Sequence, residues 1–247
     1  MPIERSPAAR PATLRIDLDA LARNYRMLRE RAAPAECAAV VKADAYGLGV
    51  ERVVRRLLRE ECRHFFVATV AEARELRAIA SSVEIGVFEG ALVGSVDMLV
   101  GLHARPVLNT LDQVERWRGR GRALLHLDTG MNRLGLSAGD VAALVVRRDV
   151  VADLELDFVM THLACADDAE HPLNAEQLAR FEQLRSRLPP APTSIGNSAG
   201  TLLDAAHRGD LARPGIALYG GNPFSDRANP MEPVVTLTAP VLQLRPR

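Results

Sequence analysis

Of the 31 Lys and Arg residues in this chain, 30 are arginine and one, Lys42, is lysine. Arginine supplies a permanent positive charge, whereas an amine can lose its proton and attack an aldehyde once desolvation or a neighbouring cation lowers its pKa. Codon bias alone could leave one stray lysine on a solvated helix face. Its surroundings argue for chemistry instead. Lys42 closes the apolar run Cys37-Ala38-Ala39-Val40-Val41 and opens Ala43-Asp44-Ala45-Tyr46-Gly47-Leu48-Gly49, a small-residue turn before the next helix. That is a strand end, a favoured catalytic position in α/β barrels.

Other polar groups follow apolar runs in the same way: Asp128 with Thr129-Gly130-Met131-Asn132-Arg133, Thr161-His162, Gly196-Asn197-Ser198, and Arg213-Pro214-Gly215-Ile216. If these are the carboxyl ends of parallel strands, they converge on one basin. The last two loops are small and polar, as suits a phosphate held by backbone N–H groups beside a helix N-terminus, with Ser198 as both helix cap and phosphate donor. Taken singly, such loops are as well explained as caps and turns. An amine nucleophile and a phosphate cradle in one basin together specify pyridoxal phosphate. Arg213, which keeps its proton, would leave the pyridine nitrogen of such a cofactor unprotonated and the ring a weaker electron sink. Arg133 either neutralises a phenolate or substrate carboxylate, or is a surface charge. His162 either orients Arg213 or is a core histidine, and Tyr46 either touches the cofactor or packs on the rim. The six histidines form no H-E-x-x-H or comparable cluster, so no metal site is expected.

Eight short apolar runs, at 36–42, 64–69, 84–88, 105–108, 123–128, 155–162, 192–197 and 211–214, alternate with amphipathic stretches such as 50–60, 70–80, 137–147 and 174–187. This is the pattern of a (β/α)8 TIM barrel, and 247 residues suffice for one. A helix at 18–31 precedes the first barrel strand, and 13–17 alternates like a strand with no barrel partner. After a Gly-, Pro- and Asn-rich loop at 220–233, a new alternating run at 234–238 begins. We expect a barrel with an N-terminal extension over 1–231, then the start of an incomplete C-terminal β domain over 232–247. The 31 basic residues balance 31 acidic ones, which disfavours nucleic acid or an anionic membrane as partner. Three widely spaced cysteines, no apolar run of membrane-spanning length and no signal-peptide pattern at the start make the cytoplasm the expected compartment.

The motifs resemble those of the bacterial alanine racemases. Ala39–Gly49 is similar to the family's cofactor-lysine signature and His126–Gly135 to its second motif. Thr161-His162-Leu163-Ala164, Gly196-Asn197-Ser198 and Arg213–Gly220 complete the set in order, across nearly the whole chain. The resemblance implies interconversion of L- and D-alanine, with pyridoxal phosphate carried on Lys42 and the same amine serving as one catalytic base. It places Arg213 at the pyridine nitrogen, His162 behind Arg213 and Arg133 near the phenolic oxygen. Tyr46, Ser198, Gly215 and Ile216 then hold the phosphate, with Asn197 in the same loop.

Two departures bear on activity. The family's second base is a tyrosine on a C-terminal β domain, supplied across a homodimer, and none of Tyr25, Tyr46 and Tyr219 matches its motif. The strand at 13–17, which in the family pairs with that domain, is expected to lie as an open edge. His126 stands where many relatives carry a carbamylated lysine that holds the arginine of the second motif, and imidazole offers no such anion. The rival reading is a non-catalytic single-barrel carrier of the cofactor; the loop 213–216 and the motif at 128–134 resemble the racemase versions instead.

Overall fold

The structure is a computed structural model that describes residues 12–243 and 245. The opening segment read above for a signal peptide, and the outer ends of the 1–231 and 232–247 division, lie outside the described residues. The strands are β1 (Thr13–Ile16), β2 (Glu36–Cys37), β3 (Ala39–Val40), β4 (His64–Val67), β5 (Glu84–Val87), β6 (Arg105–Leu108), β7 (Arg122–His126), β8 (Glu155–Met160), β9 (Thr193–Ser194), β10 (Leu211–Ala212) and β11 (Val235–Thr238). From β3 to β9 each strand lies parallel to the next, and β10 lies parallel to β2. β2 and β3 are one extended segment whose halves pair with different neighbours: Glu36 and Cys37 with Leu211 and Ala212, Ala39 and Val40 with Phe65 and Phe66. Counted as one barrel strand, they bring the total to eight.

The last two barrel strands are shorter than the runs 192–197 and 211–214 that announce them. Gly209, at φ 70°, turns the chain back so that Arg208 O accepts from both Ile195 N and Gly196 N. A single bond from Arg213 N to Gly196 O, at 2.7 Å, then carries the closure toward the upper rim.

Alternation divides the apolar side chains. Val40, Phe66, Val107, Leu124, Met160 and Leu211 fill the barrel, while Val41, Phe65, Val67, Leu108 and Leu125 face the helices. The helices start on the expected signals. Asp17 caps Leu18–Ala32, Thr69 with Glu72 forms a capping box for Val70–Ile79, and Ser137 with Asp140 does so for Ala138–Val145. At the amino ends of the strands, Asp157 is buried between Arg105, 2.7 Å away, and Arg122, which closes that end with charge pairs and leaves the opposite mouth for chemistry.

One expectation is corrected. The strand at 13–17 is not an open edge on both sides: β1 pairs antiparallel with β11, Thr13 opposite Thr238 and Ile16 opposite Val235. Chain geometry brings them together, because Asp17 N donates to Val234 O at 2.8 Å and Asn24 Nδ2 donates to Glu232 O at 2.9 Å. The returning segment is thereby tied to helix Leu18–Ala32. The ribbon itself stands off the barrel, with Leu14 and Leu237 exposed.

Candidate functional site

A cavity of about 610 Å³ opens at the carboxyl ends of the strands. It lies within the size range of small-ligand sites. Lys42, Tyr46, Arg133, His162, Asn197, Ser198, Arg213, Gly215 and Ile216 all line it. Asp128, expected to join them, does not: its Oδ1 accepts from Gly130 N and Asn132 N and so is spent in shaping the loop that presents Arg133.

Lys42 follows β3 after one residue, Val41, and its Nζ lies 6.0 Å from the centre of the Phe88 ring. The four residues after it, Ala43 to Tyr46, are all left-handed, with φ between 52° and 58°. L-residues adopt that region at a cost of about 1–2 kcal/mol each, so the turn must be held from outside. Glu72 Oε1 accepts from Ala43 N at 2.9 Å, Val41 O from Ala45 N at 2.9 Å, and Asp44 Oδ1 from Val50 N at 2.7 Å. Glu72 thus serves twice, since its Oε2 accepts from Thr69 N to complete the capping box of its own helix, Val70–Ile79.

Tyr46, at the end of this turn, stacks on Tyr219 with ring centres 4.6 Å apart, and Tyr219 is itself fixed by donating to Val40 O at 2.9 Å. The Tyr46 hydroxyl lies where a Cβ on residue 215 would be. Gly215 is therefore required by close approach. Its N–H donates to Ser198 Oγ at 2.9 Å, and Ala217 N donates to the same oxygen at 3.2 Å. Ser198 Oγ, having accepted twice, keeps its hydrogen to donate. The expected capping role of Ser198 belongs instead to Asn197, whose Oδ1 accepts from Gly200 N at 2.9 Å while its amide donates to Leu163 O. The β-region backbone of Asn197 suits a cap, whereas Ser198 is already helical.

Arg213 is buried, 3 % exposed. Burial pushes its guanidinium down to about 9, still charged at neutral pH. It donates to Ser194 Oγ, to Thr161 O at 2.7 Å and to Ile195 O at 3.4 Å. These acceptors fix it, and Ser194 in turn donates to Leu211 O at 2.6 Å. His162 lies in the field of Arg213, Arg133 and Lys42, and burial with those charges pushes its imidazolium down to about 3, so the ring is neutral. Its position is set through the backbone, as Gln177 Nε2 donates to His162 O at 3.0 Å and to Thr129 Oγ1 at 3.0 Å.

Ser194, Gln177, Glu72, Phe88 and Asn109 escape a reading based on strand ends. Asn109 alone gave a signal, a polar residue directly after the apolar pair Val107-Leu108.

The donors fit an aldehyde-bearing phosphate. One amine, a serine hydroxyl free to donate, a tyrosine hydroxyl and a fixed cation face one cavity, and the Gly215 cleft leaves room beside Tyr46. Fold and site together define a (β/α)8 barrel protein whose one lysine lines a cavity at the carboxyl ends of its strands. Residues 16–223 match the family described as alanine racemase, N-terminal domain. The chain belongs to the alanine racemase family. It is 45% identical over 239 residues to an alanine racemase of Acidiphilium cryptum, covering 94% of this chain and 67% of that protein. A protein of Mesorhizobium japonicum named alanine racemase, catabolic, is 44% identical, with 97% of this chain and 65% of the relative covered. The crystal structure of alanine racemase from Bartonella henselae with covalently bound pyridoxal phosphate superimposes with a TM-score of 0.89 at 36% identity, covering 96% of this chain and 68% of that one. The chain spans about two thirds of the length of these relatives.

Proposed function

We propose that this chain is the cofactor-binding barrel of an alanine racemase, with Lys42 as the attachment point of pyridoxal 5'-phosphate and a base for one face of alanine. The observation that carries this reading is that the one lysine of the chain opens into the same cavity as the fixed cation Arg213 and the Ser198–Gly215 turn. When bound, the cofactor supplies an aldehyde for the amine and an electron-withdrawing ring for the carbon that loses its proton.

The protein's own residues do the rest. Lys42 Nζ holds or returns a proton at the α-carbon on its side of the substrate. Arg213, locked by three acceptors, would present a charge that stays protonated to the ring nitrogen, which limits delocalisation and so side reactions. Tyr46, Ser198 and Ile216 would hold the phosphate, with Gly215 making room for the tyrosine hydroxyl and Asn197 fixing the helix that carries Ser198. His162, neutral and set by Gln177, would wall the site beside Arg213 without adding charge. Arg133 would balance the phenolic oxygen or a substrate carboxylate.

Exchange on the opposite face needs a second base. Among the described residues each tyrosine is already committed: Tyr25 donates to Cys37 O, Tyr219 donates to Val40 O, and Tyr46 stands at Gly215. We therefore expect the 247-residue chain by itself to bind the cofactor yet racemise alanine poorly, with the second base coming from a further unit, in a homodimer. The exposed ribbon of β1 and β11 fits a division in which residues 232–247 begin that β-rich unit. Among the described residues no helix is long and apolar enough to cross a membrane, which is compatible with a cytoplasmic enzyme.

Adding pyridoxal phosphate should produce a shifted absorbance that Lys42→Ala abolishes. Solvent deuterium should enter the α-position of alanine faster than in the variant. A parent chain with the same spectrum as Lys42→Ala would overturn the reading, and binding without any exchange would favour a carrier.

A further inference from the structure

Asn109 and His126 form a buried pair in the cavity wall that none of the roles above uses. Asn109 Nδ2 donates to Phe88 O at 2.9 Å and to Val107 O at 2.8 Å, so both amide hydrogens are spent and the orientation of the amide is fixed. Its Oδ1 is then an acceptor, 2.8 Å from His126 Nδ1. Nδ1 must carry the imidazole hydrogen, which leaves Nε2 of the neutral ring as a bare lone pair. The ring is held neutral by burial and by the nearby charges of Arg213 and Arg133, which push its imidazolium down to about 3.

That lone pair is buried and meets no donor among the described residues. A buried acceptor left unmade is costly, so a partner within reach is called for. The second-motif loop begins at His126 and returns to it, Leu136 N donating to His126 O at 2.8 Å. Arg133, carried on that loop, lines the same cavity, is exposed, and among the described residues makes no hydrogen bond or ion pair of its own. Arg213 is already engaged by Ser194, Thr161 and Ile195, and Lys42 lies over Phe88.

We propose that His126 Nε2 accepts a hydrogen bond from the Arg133 guanidinium, which makes His126 a positioning residue that steadies Arg133 over the cavity through a neutral acceptor. His126 thus supports the arginine by lone pair alone, with Asn109 setting the tautomer. The inference rests on the racemase reading for its consequence in catalysis, and not for the hydrogen bond itself.

The test uses the full chain labelled with ¹⁵N-histidine and long-range ¹H–¹⁵N correlation spectra, the His126 signals being assigned by their loss in His126→Gln. His126 should show the Nδ1-protonated form, with Nε2 shifted from the free-acceptor position. Arg133→Leu should move Nε2 toward that free position, while Arg133→Lys, which keeps a donor, should hold it closer to the parent. Arg133→Leu leaves the buried Nε2 without its donor and should melt below the parent while still folding, and Arg133→Lys should melt closer to it. A protonated Nε2, or an Nε2 signal unmoved by Arg133→Leu in a folded chain, overturns the proposal. The spectra are taken without cofactor, so failure to bind pyridoxal phosphate would sink the functional reading and leave this result standing.

Discussion

A methyl group at position 215 would collide with the Tyr46 hydroxyl, although φ there, at −122°, lies outside the left-handed region that favours glycine. Gly215→Ala should therefore act on the site, by displacing Tyr46 from the mouth of the proposed phosphate cradle. Overpacking of this kind costs about 1–3 kcal/mol, so affinity for pyridoxal phosphate should fall roughly 5- to 150-fold, measured by absorbance titration. An unchanged affinity would remove Tyr46 from the cradle. Ser194 is the opposite case, a fully buried hydroxyl that accepts from Arg213 and donates to Leu211 O. Ser194→Ala strands one bond of a buried cation and should lower stability by about 1.5–3 kcal/mol in denaturant titrations. No feature of the sequence marks Ser194, because its importance comes from a partner 19 residues away across the barrel closure. Lys42 and Arg213, by contrast, were legible from chemistry alone: one is the single amine and the other sits on a Pro-Gly loop after a strand.

At the scale of elements, helices and strands were readable where hydrophobic period and caps agree, as in Val70–Ile79 with its Thr69–Glu72 box. The strand ends were not, because β9 is cut short by bonds from Ile195 N and Gly196 N to Arg208 O that no alternation reports. Nor did the sequence announce the left-handed turn at Ala43–Tyr46, which contains no glycine. That turn makes an unusual prediction. Ala43 is exposed and left-handed, so Ala43→Gly relieves about 1–2 kcal/mol of strain and adds about 0.4–1 kcal/mol of unfolded-state entropy. The variant should gain up to roughly 1 kcal/mol in stability, against the usual direction for glycine. A loss of stability would mean that the strain is not carried there. Glu72→Ala removes the carboxylate that accepts from Thr69 N and Ala68 N as well as the anchor of Ala43 N, and should cost about 1–2 kcal/mol while weakening cofactor capture by Lys42.

For the whole molecule, balanced charge leaves the acid response to individual buried groups, and the two cavity histidines dominate it. Each has a folded-state pKa of about 3, below the ordinary 6.5 that the unfolded chain restores. Between those values the unfolded chain binds more protons than the folded one, so stability rises with pH there and is lost on acidification. The slope reaches about 1.4 kcal/mol per pH unit for each imidazole. Asp157 acts in the opposite sense, because burial raises its carboxyl above 3.8 and so favours the folded state as the pH falls toward that value. The histidines therefore control the interval from about 6.5 down to 4, and denaturant midpoints should drop steadily across it. His126→Gln, which keeps a neutral polar group in place, should remove about half of that slope while His162 supplies the remainder. Midpoints that stay level from pH 7 to 5 would show that the cavity admits charged imidazole, and with it that the neutral walls beside Arg213 and Arg133 do not exist.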